Sequence, residues 1–304
     1  MKDKRIANFF LLLLCITFIF SFSLLANDNL LINISDPVGD DFGPGTYKYP
    51  ANEIFASEGL FDITNFAIRR LGENYRFEFT FNQLNDPWNS QYGFSLPLIH
   101  LYLANDEDNG SYELFQEGAN VRLNPKYPWN RLIQISGWWV RLYTPNMEME
   151  SFETDFLDVR HPAELEDPDI SIRANTIILN IEKELLGNLE EGYFYLLVGG
   201  FDPFGPDHFR TIRPSISSWY FADLESDNLE YAPRVLDIIL PETKDQATIL
   251  SDFSDDYPLI YPIYFQTSSE TTNQHIIYPI IVILILILLL VIIKNNKFPL
   301  FNNK

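Results

Sequence analysis

The feature that most restricts this chain is residues 276–293, eighteen positions in a row without a charge. As a helix rising about 1.5 Å per residue, the run just reaches across a hydrocarbon core of roughly 30 Å. Its aliphatic side chains leave no polar face, which argues against the alternative of an ordinary core helix. Lys294, Lys297 and Lys304 follow, and trailing lysines place a tail of residues 294–304 in the cytoplasm. What precedes the span then lies outside. The N-terminus agrees: Lys2, Lys4 and Arg5 lead into an apolar stretch from Phe9 to Leu25 and then Ala26, the layout of a signal peptide over residues 1–26. An uncleaved signal anchor is the alternative. The single cysteine, Cys15, falls inside this segment, so the exported part needs no disulfide, which suits a chain long enough to bury a sizeable core.

Residues 27–275 hold 41 acidic and 15 basic residues, a net charge near −26. Such a surface repels nucleic acid and anionic lipid, so neither is expected as a partner. Within it, Tyr75, Phe77, Phe79 and Phe81 alternate with Arg76, Glu78 and Thr80, predicting a half-buried strand. Residues 94–103 are apolar on both faces except Ser95 and His100, as in a central strand, although Pro97 argues for a bulge or an edge. Further strands are predicted over residues 61–69, 132–143, 172–181, 193–200 and 219–222, and only residues 182–187 look helical. Many short strands between Gly, Pro, Asn and Asp predict an all-β, antiparallel β-sandwich as one domain over residues 27–265. Residues 266–275 are polar and aperiodic, and read as a tether.

One series of segments is recognisable. Asp36, Pro37, Gly39, Asp40, Asp41, Gly43 and Tyr47 open it; Gly59 to Phe66, Asn85 to Asn89, Gly93 to Leu96, Ser136 to Trp138, Gly200 to Asp207, and Val235 to Pro241 with Gln246 follow in order. Together they closely resemble the glucodextranase C-terminal domain family, found on glucodextranase and pullulanase-type enzymes. The resemblance covers roughly residues 36–264. It implies a β-sandwich related to the ninth family of carbohydrate-binding modules and to DOMON-like domains, which binds polysaccharide or holds enzymes at the cell surface. No catalytic domain accompanies it here, so the sugar need not be that of the enzymes.

Sugar recognition asks for flat aromatic faces with polar groups beside them. Alternation in residues 133–143 puts Trp138, Val140 and Leu142 on one face, read as core, and Trp139, Arg141 and Tyr143 on the other, read as a ligand platform. An arginine packed between aromatics under a loop is the competing reading. Trp88, in a loop between strands, is a further candidate, either exposed or plugging the end of the sandwich; Trp129 and Trp219 read as structural. Asp36, Asp40 and Asp41 in a Gly-rich turn suit calcium, or else each caps a turn. Residues 105–110 have some calcium-loop flavour, which a hairpin turn explains as well. Asp202, Asp207 and Arg210 form another loop cluster. Zinc, phosphate-loop and nucleophile-elbow motifs are missing, and catalysis is not expected. Nor is haem, for which Met147 or Met149 with His100 or His161 would be needed. The reading is a membrane-anchored extracellular protein that binds glucan-type polysaccharide or oligosaccharide near secreted glycoside hydrolases or an uptake system. Its rival is a cell-envelope structural or interaction protein that contacts cell-wall polymer or another protein.

Overall fold

The computed structural model describes residues 29–105, 109–116, 118–147 and 163–265. The expected signal peptide, tether, membrane span and tail lie outside these residues, as do Met149, His161 and part of the 105–110 loop. Among the described residues no helix is long and apolar enough to cross a membrane. The strands are β1 (Asn29–Ser35), β2 (Tyr47–Lys48), β3 (Ile63–Leu71), β4 (Asn74–Phe81), β5 (Pro97–Ala104), β6 (Arg122–Leu123), β7 (Arg131–Ile135) and β8 (Val140–Tyr143). They continue as β9 (Asp169–Arg173), β10 (Thr176–Glu182), β11 (Tyr193–Gly200), β12 (Ile212–Arg213), β13 (Phe221–Asp223), β14 (Val235–Ile239), β15 (Leu259–Ile260) and β16 (Ile263–Tyr264). Five of the long strands form an antiparallel sheet in the order β1-β3-β4-β10-β9. A second antiparallel sheet runs β14-β11-β5-β7-β8, with β16 also on β11. The short remainder, such as the β12-β13-β2 set, ties loops together.

The alternation in β4 is realised: Tyr75, Phe77, Phe79 and Phe81 are buried against the second sheet, and Arg76, Glu78 and Thr80 look outward. Each phenylalanine so buried contributes about 1.5–3 kcal/mol. Phe66 of β3 meets Phe194 of β11 at 5.0 Å between ring centroids, joining the two sheets. In the second sheet both faces are covered. Ile99, Leu101, Ile133, Val140 and Leu196 point to the first sheet, while Leu98, Tyr102, Leu132, Tyr143 and Leu197 point into a second apolar cluster roofed by loops.

Three predicted strands differ in detail. Residues 132–143 form not one strand but the β7–β8 hairpin, because Ser136 and Gly137 turn the chain; likewise β9 and β10 meet at Ala174, whose φ is +51°. Pro97 marks neither an edge nor a bulge. It is the first residue of β5, where its missing N–H costs nothing, and β5 is central, between β11 and β7. The one-turn helix expected near residue 183 is present as Lys183–Leu186. At the C-terminal side, Tyr264 pairs with Tyr193 and Ile263 with Phe194, and buried Phe265 lies on Phe194 at 5.9 Å.

Candidate functional site

A cleft of about 610 Å³ opens where three loops meet at the tip of the β7–β8 hairpin. Loop 85–94 is folded on itself: both Asp86 carboxylate oxygens accept the Ser90 amide at 2.9 Å, and Ser90 Oγ accepts from the Phe94 amide at 3.0 Å. The hairpin tip lies directly on that loop. A Cβ on Gly137 would stand 1.7 Å from the Phe94 carbonyl oxygen, so only glycine permits the approach. The approach sets Trp138 beside Trp88, with centroids 6.3 Å apart and planes 29° apart, and Trp138 stacks in turn on Phe201 at 4.8 Å. These three rings form the floor.

Phe204, Trp219 and Tyr220 also line the cleft, together with the polar side chains of Asp202 and Arg210. Buried Arg210 ties Trp219 to Phe201: Nη1 donates to the Trp219 carbonyl and Nη2 to the Phe201 carbonyl, both at 2.5 Å. Its burial lowers its pKa, opposed by the neighbouring Asp202. Asp202 Oδ1 accepts the Phe204 amide at 3.1 Å. Phe204 is 83% exposed and Trp219 46%, and among the described residues neither stacks on another ring. A cleft with a stacked aromatic floor, two unpaired rings at the rim and polar groups between suits a ligand with alternating apolar and hydroxylated faces.

The expected platform of Trp139, Arg141 and Tyr143 is built differently. The three do share a face, but loops cover it: Trp139 and Tyr143 are buried, and Tyr143 meets Phe115 at 4.3 Å. The Arg141 guanidinium lies 3.9 Å over the Trp139 ring, with Nη1 3.0 Å from His208 Nε2. Of this stripe only Trp139 reaches the cleft, alongside Trp88. Trp138, read as core, and Trp219, read as structural, are cleft residues instead, whereas Trp129 is buried with Nε1 donating to the Glu113 carbonyl at 2.7 Å.

Beneath Trp139 a polar row crosses the covered face, since His100 pairs with Gln134 and Gln134 with Arg141 in adjacent strands. Asp207 sits over it, accepting from Gln134 Nε2 at 3.1 and 3.2 Å and lying 3.8 Å from His100 Nδ1. Asp207 and His208 hold φ of +45° and +62°, a strained conformation that delivers both side chains into the row. Burial pushes the Asp207 carboxyl up to about 7 against the Gln134 hydrogen bond and Arg141, and drives His100 down to about 3, so its ring is neutral. Thus the expected Asp202, Asp207 and Arg210 cluster splits between cleft and row.

The acidic turn also regroups. Asp36 and Asp40 converge with Asp237 of β14, each offering an oxygen within 4.8 Å of the others. Asp41 points away from them: its Oδ2 accepts from the Tyr49 hydroxyl and, at 3.1 Å, from the Phe61 amide. Burial, then the charges of Asp40 and Asp62, push Asp36 up to about 8; burial, then Asp62, push Asp40 to about 6; burial, then Asp36, raise fully buried Asp237. Sequence reasoning passed over Asp237, though a lone carboxylate among Val235, Leu236, Ile238 and Ile239 was a visible signal. It also passed over Phe204, the exposed aromatic of the Pro- and Gly-rich segment 200–207.

The fold defines a class: an all-β domain of two facing antiparallel sheets. Over residues 31–260 the sequence matches the family described as the SLH-like C-terminal binding module of glucodextranase, and the chain belongs to that family. No curated protein matches the chain.

Proposed function

We propose that the chain is a non-catalytic carbohydrate-binding module for glucan-type polysaccharide or oligosaccharide, exported and held at the outer face of a membrane by residues 276–293. The observation that carries the binding reading is the pair of free rings, Phe204 and Trp219, facing a cleft with polar groups at its centre. Membership in a family of binding modules supports it. The apolar face of a pyranose stacks on these rings, while its hydroxyls meet the Asp202 carboxylate and the Tyr220 hydroxyl. The Trp88, Trp138 and Phe201 stack spends its faces on itself and serves as a rigid base. The membrane reading rests on the uncharged run and the lysines after it. In that position the module keeps glycan close to secreted glycoside hydrolases or an uptake system.

The test is calorimetric titration of the full-length chain, in a detergent without a sugar headgroup, against soluble α-glucan, dextran and cell-wall polysaccharide. Binding that weakens roughly tenfold or more in Trp219→Ala, with the fold retained, supports the reading. Absence of heat with every glycan would overturn it in favour of an envelope interaction protein.

A further inference from the structure

Four carboxylates gather where the loop after β1 crosses the start of β3 and the middle of β14: Asp36, Asp40, Asp62 and Asp237. Asp237 is fully buried; its Oδ2 accepts the Ile63 amide at 2.7 Å, and its Oδ1 has no hydrogen-bond partner. Asp62, also fully buried, accepts the Gly39 amide at 2.8 Å and Asn82 Nδ2 at 2.9 Å on Oδ2, and its Oδ1 is again without a partner. One buried oxygen on each of Asp36 and Asp40 is unsatisfied too, as is Oδ1 of the neighbouring Asp41, which lies outside the group of three oxygens that converge. Among the described residues no lysine, arginine or histidine forms an ion pair with any of them. Carboxylate oxygens set against one another away from water must either take up protons or hold a cation, and among the described residues no side chain supplies that cation.

We propose that this cluster holds one calcium ion, with Asp36, Asp40 and Asp237 as ligands and Asp62 adding charge beside them. Oxygens on opposite sides of an ion with Ca–O distances of 2.3–2.6 Å stand at most about 5 Å apart, and the three carboxylates fall within 4.8 Å of one another. A donor set of oxygen alone excludes metals that want nitrogen or sulfur. Magnesium, which gives up its water reluctantly, is a poor match for a site whose key ligand projects from a core strand. Hydrogen bonds of the chain itself present the loop to β14: Gln246 Nε2 donates to the Asp40 carbonyl at 2.5 Å, its Oε1 accepts the Ile238 amide at 2.8 Å, and the Gly43 amide donates to the Leu236 carbonyl at 2.8 Å. The ion thus locks a joint that neutral hydrogen bonds have positioned, fastening the first loop of the domain to one of its last strands.

The test uses the full-length chain in detergent, stripped with chelator, and no glycan. Equilibrium dialysis with radioactive calcium is expected to give one bound ion per chain. Thermal unfolding is expected to rise by roughly 5–10 °C at a hundredfold excess of calcium over Kd, with a smaller rise in magnesium at the same concentration. Asp237→Asn is expected to abolish the calcium response while melting, in chelator, at or above the parent temperature, because it removes a buried ionisable group set against other carboxyls and keeps an oxygen for the Ile63 amide. Asp41→Asn is expected to keep the response. Should Asp237→Asn not fold, Asp36→Asn carries the same expectation from a loop position. Failure of the parent to bind or respond to calcium would overturn the proposal, as would an equal magnesium response, or a full calcium response in the folded Asp237→Asn or Asp36→Asn chain.

Discussion

The two faces of the six-stranded sheet are both buried, yet they are made differently. The inner face, which meets the first sheet, is apolar over its three central strands, with Ile99, Leu101, Leu103, Ile133, Ile135, Phe194, Leu196 and Val198, and carries one carboxylate at its edge, Asp237 of β14, paired with Val198. The outer face mixes Leu98, Tyr102, Leu132 and Leu197 with the row of His100, Gln134 and Arg141. The difference follows from what lies opposite. Over most of its area a facing sheet has its backbone groups satisfied within its own ladders and presents only side chains, the Ile63 amide at the start of β3 being the exception that Asp237 accepts. A roof of loops brings unladdered amides and carbonyls, and side chains such as Asp207, so the surface beneath it accepts polar groups.

If that contrast is right, cutting the inner face should cost most. Phe194→Ala, which empties the contact between Phe66 and Phe265, is expected to lose about 3–5 kcal/mol of stability in urea or guanidinium unfolding. On the outer face Asp207→Ala leaves the Gln134 amide without its acceptor, and a smaller loss of about 1–3 kcal/mol is expected from the same measurement. Asp207→Asn sharpens the point, because it separates charge from shape. With its folded pKa raised to about 7, Asp207 contributes stability that is fully present below the ordinary carboxylate range and is lost as pH rises through about 7. The asparagine variant should therefore gain melting temperature relative to the parent between pH 5 and pH 8; a constant difference across that window would mean that Asp207 titrates normally. His100, His208 and Arg141 are common to both proteins, so they enter the difference only through their coupling to Asp207. Smallest of all is Trp219→Ala, on the exposed rim: a change within about 0.5 kcal/mol in stability is expected alongside the loss of glycan affinity.

The same contrast explains what could be read in advance. Period-two alternation reports a strand with one face in an apolar layer, so β4 was legible in residues 75–81, whereas β11 was legible as a short continuous apolar run over residues 193–200, buried on both faces. Trp139, Arg141 and Tyr143 were rightly grouped on one face, but alternation does not say whether a face meets solvent or a loop. The roof over them comes from residues distant in sequence, among them Phe115, Phe201, Phe209 and Leu250. The cleft was half visible for a similar reason: Trp88 belonged to it by loop position, whereas Trp138 joined it through a glycine contact with Phe94, which no local pattern announces. Asp36 and Asp40 were legible as a pair, while their third member came from a strand some 200 positions later.

The C-terminal edge gives the molecule a mechanical character. Force applied to the chain beyond Phe265 arrives first at β16, held to β11 by only two residue pairs, and at the Phe265 ring seated on Phe194. With only two pairs to lose, this strand is expected to detach at a lower load than the long ladders behind it, so a pulling measurement should show a short extension before the sandwich unfolds.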